Sequence, residues 1–255
     1  MIVTILGSGT SSGVPMMGCH CKVCTSTDPK DNRLRTSVLI EVNNKRILID
    51  TGPDLRMQML REKVDDIDAI IYTHEHNDHI VGLDEIRPYN FLHKKPMDIY
   101  LSEQVEAALR QRFHYVFGEK NYPGLPEVTL HRITNIPFFI EDIKCIPIQL
   151  YHYHLPVFGF RIGDFTYITD ANVLPDEEKH KIAGTKVLVI NALRKEKHIS
   201  HFNLEEAIAL VRELKPDIAY FTHISHQMGL YEAVEKTLPP NMHLAFDGLV
   251  LRIDN

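Results

Sequence analysis

The chain has no tryptophan, four cysteines among its 255 residues, and no apolar run near the roughly 20 residues that span a bilayer. Runs such as 67–72 and 186–190 stop far short, which excludes membrane insertion. The opening Met1-Ile-Val-Thr-Ile-Leu6 lacks the basic region and long apolar stretch of a secretion signal and reads as a first strand, so the expected compartment is the cytoplasm. Positive charge is also scarce. Lys and Arg number 28 against 34 Asp and Glu, a net −6 with His neutral. A broad cationic footprint for nucleic acid is therefore not expected, and small substrates are favoured. Three of the four cysteines fall within six residues, a pattern that suits a metal better than a disulfide framework. Internal repeats, linkers and low-complexity tracts are absent as well, so residues 1–255 are expected to form one domain.

What the chain has in excess is histidine, 15 residues of the commonest metal-ligating type. Apolar periodicity predicts strands near 2–6, 36–42, 46–50, 67–72, 97–101, 128–131, 143–149, 157–162, 165–169, 186–191, 217–221 and 243–252. Helical spacing fits 54–62, 82–93, 102–112, 175–182, 203–214 and 230–237, with Ser102 and Asn203 as N-caps. Asn203-Leu-Glu-Glu206 has capping-box spacing. An early hairpin at 36–50 turning at Asn43-Asn44, with helices inserted later, predicts a mixed α/β architecture of two sheets flanked by helices.

The most informative segment is Ile70-Ile-Tyr-Thr-His-Glu-His-Asn-Asp-His79. An apolar strand runs into four N and O donors within six positions. Two histidines one residue apart can converge on one ion, while Asp78 and His79 face a second, the mixed donor set that Zn, Mn or Fe accept. This His-Glu-His-Asn-Asp-His run resembles the H-x-H-x-D-H signature of the metallo-β-lactamase superfamily. Later signature positions follow in order as His152, Thr169-Asp170 and Phe221-Thr-His223. The resemblance implies a four-layer αββα sandwich. It further implies that His74, His76 and His152 hold one divalent ion, that Asp78, His79 and His223 hold the other, and that Asp170 bridges them. Within Leu150-Tyr-His-Tyr-His-Leu155 either His152 or His154 could reach the site. The resemblance favours His152, since in similar sequences the ligand lies near this distance ahead of the Phe-Gly-Phe strand, here Phe158-Gly-Phe160.

A second cluster, Gly18-Cys-His-Cys-Lys-Val-Cys24, supplies three thiolates at Cys19, Cys21 and Cys24 and leaves a fourth ligand open. The insert, about 18–25, resembles that of the phosphonate-pathway cyclic phosphodiesterases. There the fourth ligand comes from a T-H-x-S-H segment, which implies His226 of Thr222-His-Ile-Ser-His226 and a structural zinc. The same resemblance implies that His201, after Ser200 and ahead of the 203–214 helix, is the general acid, with His198 as its rival. Gly7-Ser-Gly-Thr-Ser-Ser-Gly13 lacks the G-K-[ST] ending of a P-loop and reads as a turn. Arg35, Arg87 and Arg194 offer planar donors to phosphate, against ordinary structural pairing. The irregular stretch 113–126, with Phe113, His114, Tyr115, Phe117 and Tyr122, suits a lid or a homodimer contact.

Two divalent ions (Mn or Zn) outweigh Asp78 and Asp170 by two charges, which favours an anionic substrate. The expected function is hydrolysis of a small, cyclic phosphodiester of the phosphoribosyl kind by a metal-bridging hydroxide. The competing readings are a tRNA 3′-processing nuclease, which would need a basic arm, and a quinone-cofactor-biosynthesis protein acting as carrier or oxidative enzyme.

Overall fold

The computed structural model describes residues 1–118 and 124–254. Strands β1 (Ile2–Gly7), β2 (Ser37–Val42), β3 (Lys45–Ile49), β4 (Ala69–Ile71), β5 (Met97–Leu101) and β6 (Val128–Arg132) form one sheet. Strands β7 (Phe138–Ile140), β8 (Ile143–His152), β9 (Leu155–Ile162), β10 (Phe165–Ile168), β11 (Val187–Asn191), β12 (Ile218–Thr222) and β13 (Met242–Leu244) form the other. The last strand, β14 (Val250–Arg252), returns to the first sheet antiparallel to β1. The expected hairpin is present. Its register closes at Val42 opposite Lys45, and Asn43 and Asn44 take φ of 50° and 58°, the left-handed pair that a two-residue turn requires. After this antiparallel start, β3 to β6 run parallel, as do β10 to β13.

The helices are α1 (Leu55–Glu62), α2 (Asn77–Ile80), α3 (Arg87–His93), α4 (Glu103–Arg112), α5 (His114–Phe117), α6 (Asp176–Ile182), α7 (Leu204–Leu214) and α8 (Tyr231–Glu235). Between the sheets, residues such as Val3, Ile40, Ile71, Phe160 and Val189 make the central core. Leu55, Met59, Tyr89, Val105 and Leu109 cover the outer face of the first sheet, and Ile182, Ala207, Val211 and Val234 cover that of the second. The result is the expected four-layer αββα sandwich. Both expected caps are made. Ser102 accepts from Val105 N, and Asn203 forms the complete capping box with Glu206, a device worth about 1 kcal/mol.

Local pattern fails at three places. The strand expected over 243–252 is two strands in different sheets: Asp247 leaves the ladder to accept from Ser8 and from Leu34 N, and the chain crosses between the sheets there. The helix expected over 82–93 is a 3-10 turn (Val81–Ile86) followed by α3, with Pro88, which lacks an amide donor, in the first turn of α3. Strand β7 and the short helices α2 and α5 were not expected at all, each being under one and a half turns or three residues long. Among the described residues no helix is long and apolar enough to cross a membrane.

This layering decides where chemistry can occur. The carboxyl ends of the parallel strands from both sheets open on one edge of the sandwich, the position where open α/β sheets bind ligands.

Candidate metal centre

Chain reversal at the strand ends places the polar side chains. Asp50 follows β3, Asp170 lies two residues beyond β10, and His223 follows β12; all three are buried and hold left-handed φ of 65°, 52° and 56°. Non-glycine residues in that region carry a cost of order 1–3 kcal/mol each, which the surrounding packing must offset. His74 and His79 are equally buried, at 1% and 0% exposure. Five buried polar side chains need partners, and those of His74, His79 and His223 are incomplete.

Three imidazoles, those of His74, His79 and His152, are oriented through Nδ1, whereas both ring nitrogens of His223 lack a hydrogen-bond partner. His79 Nδ1 donates to Asp50 Oδ2 at 2.7 Å, and its Nε2 has no hydrogen-bond partner. His74 Nδ1 stands 3.0 Å from Thr73 Oγ1, which donates its own proton to Asp50 Oδ2 at 2.8 Å, and His74 Nε2 is likewise orphaned. His152 Nδ1 donates to the Ser200 carbonyl at 2.7 Å. Carboxylate, hydroxyl and backbone acceptors thus fix the tautomers of His79, His74 and His152, the arrangement by which outer groups orient metal-binding imidazoles.

The unmatched atoms cluster at ligand spacing. His79 Nε2 lies 3.2 Å from Asp78 Oδ2 and 3.1 Å from Asp170 Oδ2, and His223 Nε2 lies 3.1 Å from Asp170 Oδ1 and 3.7 Å from Asp78 Oδ2. N and O ligands at about 2.0–2.2 Å from a common tetrahedral ion sit roughly 3.3–3.6 Å apart. Asp78, His79, Asp170 and His223 therefore fit a divalent cation. The rings of His74 and His76 lie 4.6 Å apart, and that of His152 lies 5.1 Å from His76 and 6.0 Å from His74, while the donors that His152 has within 4.8 Å are those of Asp170 and His201. Burial, then neighbouring His79, hold the His74 pKa well below its usual value, leaving its lone pair free. Burial would raise the Asp170 carboxyl, but His223 and His79 outweigh it and hold it well below the carboxylate range.

The fold brings the three clustered cysteines and His226 together. Cys19, Cys21, Cys24 and His226 bring one donor each within 4.8 Å of one another, with Cys19 Sγ and Cys21 Sγ at 3.5 Å and 3.3 Å from His226 Nδ1. About 3.5 Å is the separation for S and N ligands of one tetrahedral zinc. The hydrogen bond with His226, followed by that from Cys24 N, lowers the Cys21 thiol to about 6. This four-donor set is joined to the pocket by Ile224, whose N donates to Ser8 O and whose O accepts from Thr10 N. The glycine-rich first loop thereby has a structural task. A Cβ on Gly7 would lie 1.9 Å from the Arg35 carbonyl oxygen, so only glycine allows that approach.

His201 is buried beside the pocket, its Nδ1 unmatched and 3.8 Å from Asp170 Oδ1, its ring 4.5 Å from that of His152. Burial, then His223, hold its pKa at about 2. His198 is further out, with its ring 5.1 Å from that of His201 and its Nδ1 accepting from Ser200 N. His154 is exposed against the Tyr153 ring and stands apart from the cluster. The three arginines have protein partners: Arg35 with Asp54, Arg87 with the Asp84 carbonyl and Arg194 with Gln227. In the 113–126 stretch, Phe113 is buried, and Tyr115 donates to Asp84 Oδ2 at 2.6 Å; Tyr122 lies outside the described residues.

A family model described as a beta-lactamase superfamily domain matches residues 45–224, from the hairpin to the residue after His223. The chain belongs to the beta-lactamase superfamily. Over 253 residues, 98% of its length, it is 39% identical to a Porphyromonas gingivalis protein named octanoyltransferase. The match covers 51% of that relative, so the chain spans about half its length. Among solved structures it resembles a new diphosphatase from the PhnP family, with TM-score 0.93, 39% identity and 99% and 98% of the two chains covered. It also shares its fold with zinc-bound PqqB from Methylobacterium extorquens, at TM-score 0.81 and 19% identity over 99% and 100% of the chains.

Two residues of this superfamily site escaped sequence reasoning. Asp50 opens an Asp-Thr-Gly run at the end of a hairpin strand, and that strand-end position was the one available signal. Asn172 lies two residues after Asp170 and had none, because its partners are backbone groups from two other segments.

Proposed function

We propose that this chain is a dinuclear metal-dependent phosphodiesterase acting on a small anionic diester of the cyclic, phosphoribosyl type. His74, His76 and His152 would hold one ion and Asp78, His79 and His223 the other, with Asp170 between them. Bound there, two divalent cations supply Lewis acidity, lowering the pKa of an attacking water and neutralising charge on the phosphoryl oxygens. The chain's own groups do the rest. Asp50, Thr73 and the Ser200 carbonyl fix three imidazole tautomers, and the site's excess positive charge selects an anion over a neutral amide.

The observation that carries this reading is His201, an unmatched buried imidazole 3.8 Å from Asp170 Oδ1. From there it would protonate a departing oxygen. Alone it is neutral at working pH, and an anionic phosphoryl group beside it opposes the causes of its low pKa and raises its proton affinity. The 39% identity with a PhnP-family diphosphatase supports the phosphoryl chemistry and gives a second reading, cleavage of a diphosphate, whose leaving group is itself a phosphate. A net charge of −6 supports a small substrate over RNA. The structural zinc at Cys19, Cys21, Cys24 and His226 would staple the first loop to the His223 loop.

The test is steady-state hydrolysis by the purified protein of cyclic diesters, linear diesters and diphosphates. The highest kcat/KM is expected for a cyclic diester. Preference for a diphosphate establishes the second reading, and turnover of none overturns both.

A further inference from the structure

Asn172 joins three segments of the site without contacting any proposed ligand side chain. Its amide N donates to Tyr151 O at 2.9 Å. Its side-chain Oδ1 accepts from Tyr153 N at 2.7 Å, and its Nδ2 donates to Ile199 O at 3.0 Å. Tyr151 and Tyr153 flank His152, and Tyr153 holds a left-handed φ of 58° at the tip of the β8–β9 turn. Ile199 precedes Ser200, whose carbonyl orients His152 Nδ1, and His201 follows. One carboxamide therefore sets the spacing between the turn carrying His152 and the loop carrying His201.

The far side of that loop is anchored independently. Phe202 N donates to Ala171 O at 2.7 Å, and the buried Asn191 carboxamide both donates to Ala171 O and accepts from Ala171 N. Loss of the Asn172 side chain would release residues 199 and 200 and the Tyr153 end of the turn, while the backbone bridge between Tyr151 and Val173, the strands, the helices and Asp170 keep their supports. The two atoms of the carboxamide have separable tasks, since Oδ1 restrains the turn and Nδ2 restrains the loop.

We infer that Asn172 is a positioning residue that holds the His201 loop against the His152 turn, and so places the proton donor for the leaving group. The catalytic part of this inference rests on the proposed phosphodiesterase reading; the mechanical part does not. Misplacement by about 1 Å at a reacting centre can cost on the order of 10²-fold in rate. A leaving group that departs unprotonated is insensitive to the placement of the acid.

The experiment compares wild type, Asn172→Ala and Asn172→Asp by amide hydrogen exchange and by kinetics on an alkyl diester and on bis(p-nitrophenyl) phosphate. Asparagine to aspartate keeps the acceptor for Tyr153 N and loses the donor to Ile199 O. Exchange should rise over 198–201 in both variants, and at Tyr153 only in the alanine variant. In both, kcat on the alkyl diester should fall about tenfold or more, with a smaller loss on the nitrophenyl diester. Unchanged exchange in these segments overturns the bracket. Altered exchange with equal loss on both substrates, or none, overturns its role in placing His201. A wild type inactive on both diesters defeats the phosphodiesterase reading and leaves the exchange result to decide the bracket.

Discussion

Asp50 Oδ2 accepts from His79 Nδ1 at 2.7 Å, with both side chains fully buried, and the same carboxylate accepts from Thr73 N and Thr73 Oγ1. Three donors converge on one carboxylate. An amide in its place cannot accept from all three without turning a donor toward one of them.

Asp50→Asn should therefore turn its amide group either toward the Thr73 N–H or, on the Oδ2 side, toward both His79 Nδ1 and the Thr73 hydroxyl, and so disturb the orientation of His79. Outer partners of this kind are worth about 10–100-fold in metal affinity. The expected outcome is a correspondingly weaker affinity at the His/Asp site with the zinc of the cysteine cluster retained, measured by elemental analysis after graded chelation. Full occupancy of both sites at wild-type affinity would remove Asp50 from this role.

Asp170→Ala and His76→Ala should each abolish diester hydrolysis with little change in melting temperature at saturating metal. Asp170 lies within 3.1 Å of two histidine nitrogens, and His76 would belong to the proposed ligand set of the other ion. Near-normal turnover in either purified variant contradicts the ligand assignment.

Cys21→Ser should lower both zinc content and melting temperature, because a closed thiolate site contributes directly to folding. The His/Asp donors remain chemically intact. Elemental analysis with thermal denaturation checks this, and a variant melting at the wild-type temperature contradicts the staple.

Glu178 accepts from Lys181, Gln149 N and Asn135 Nδ2 and ties α6 to β8. Burial opposes its charge, but the Lys181 hydrogen bond and the other two donors outweigh it and hold its pKa below the usual glutamate value. Its stabilisation is thus full above the unfolded pKa near 4.3 and is lost as pH falls through the folded value. Glu178→Gln should melt below wild type at pH 7, with the gap closing as pH drops below about 4. A gap independent of pH would show that the charge contributes nothing.

The layers, the hairpin and both helix caps were legible because each rests on local pattern: alternation, an Asn-Asn turn, a polar residue ahead of an apolar face. Convergence of the His-Glu-His-Asn-Asp-His run with His152, Asp170 and His223 was legible only through family resemblance, since those positions come from different strands. Asp50 was missed because its partner His79 is 29 residues away, and burial, the reason the pair matters, has no local signature. The division of 243–252 between sheets was missed for a related reason: Asp247 is recruited by Ser8, 239 residues earlier.

His201→Ala separates general acid catalysis from metal support. An acid assisting a poor leaving group contributes about 10²–10⁴-fold, and a nitrophenolate needs no such help. The variant should lose much of its rate on an alkyl or ribosyl diester and far less on bis(p-nitrophenyl) phosphate. Equal losses on both would assign His201 to binding or metal support.

The central claim, hydrolysis at a two-ion site, is tested most directly by titrating Mn²⁺ or Zn²⁺ into chelated protein while following both bound metal and turnover of a cyclic phosphodiester. Turnover should be absent after chelation, rise with added ion, and level off at two exchangeable equivalents per chain beyond one retained zinc. Two equivalents bound at the His/Asp site with no diester hydrolysed, or full hydrolysis in the fully chelated protein, would contradict it.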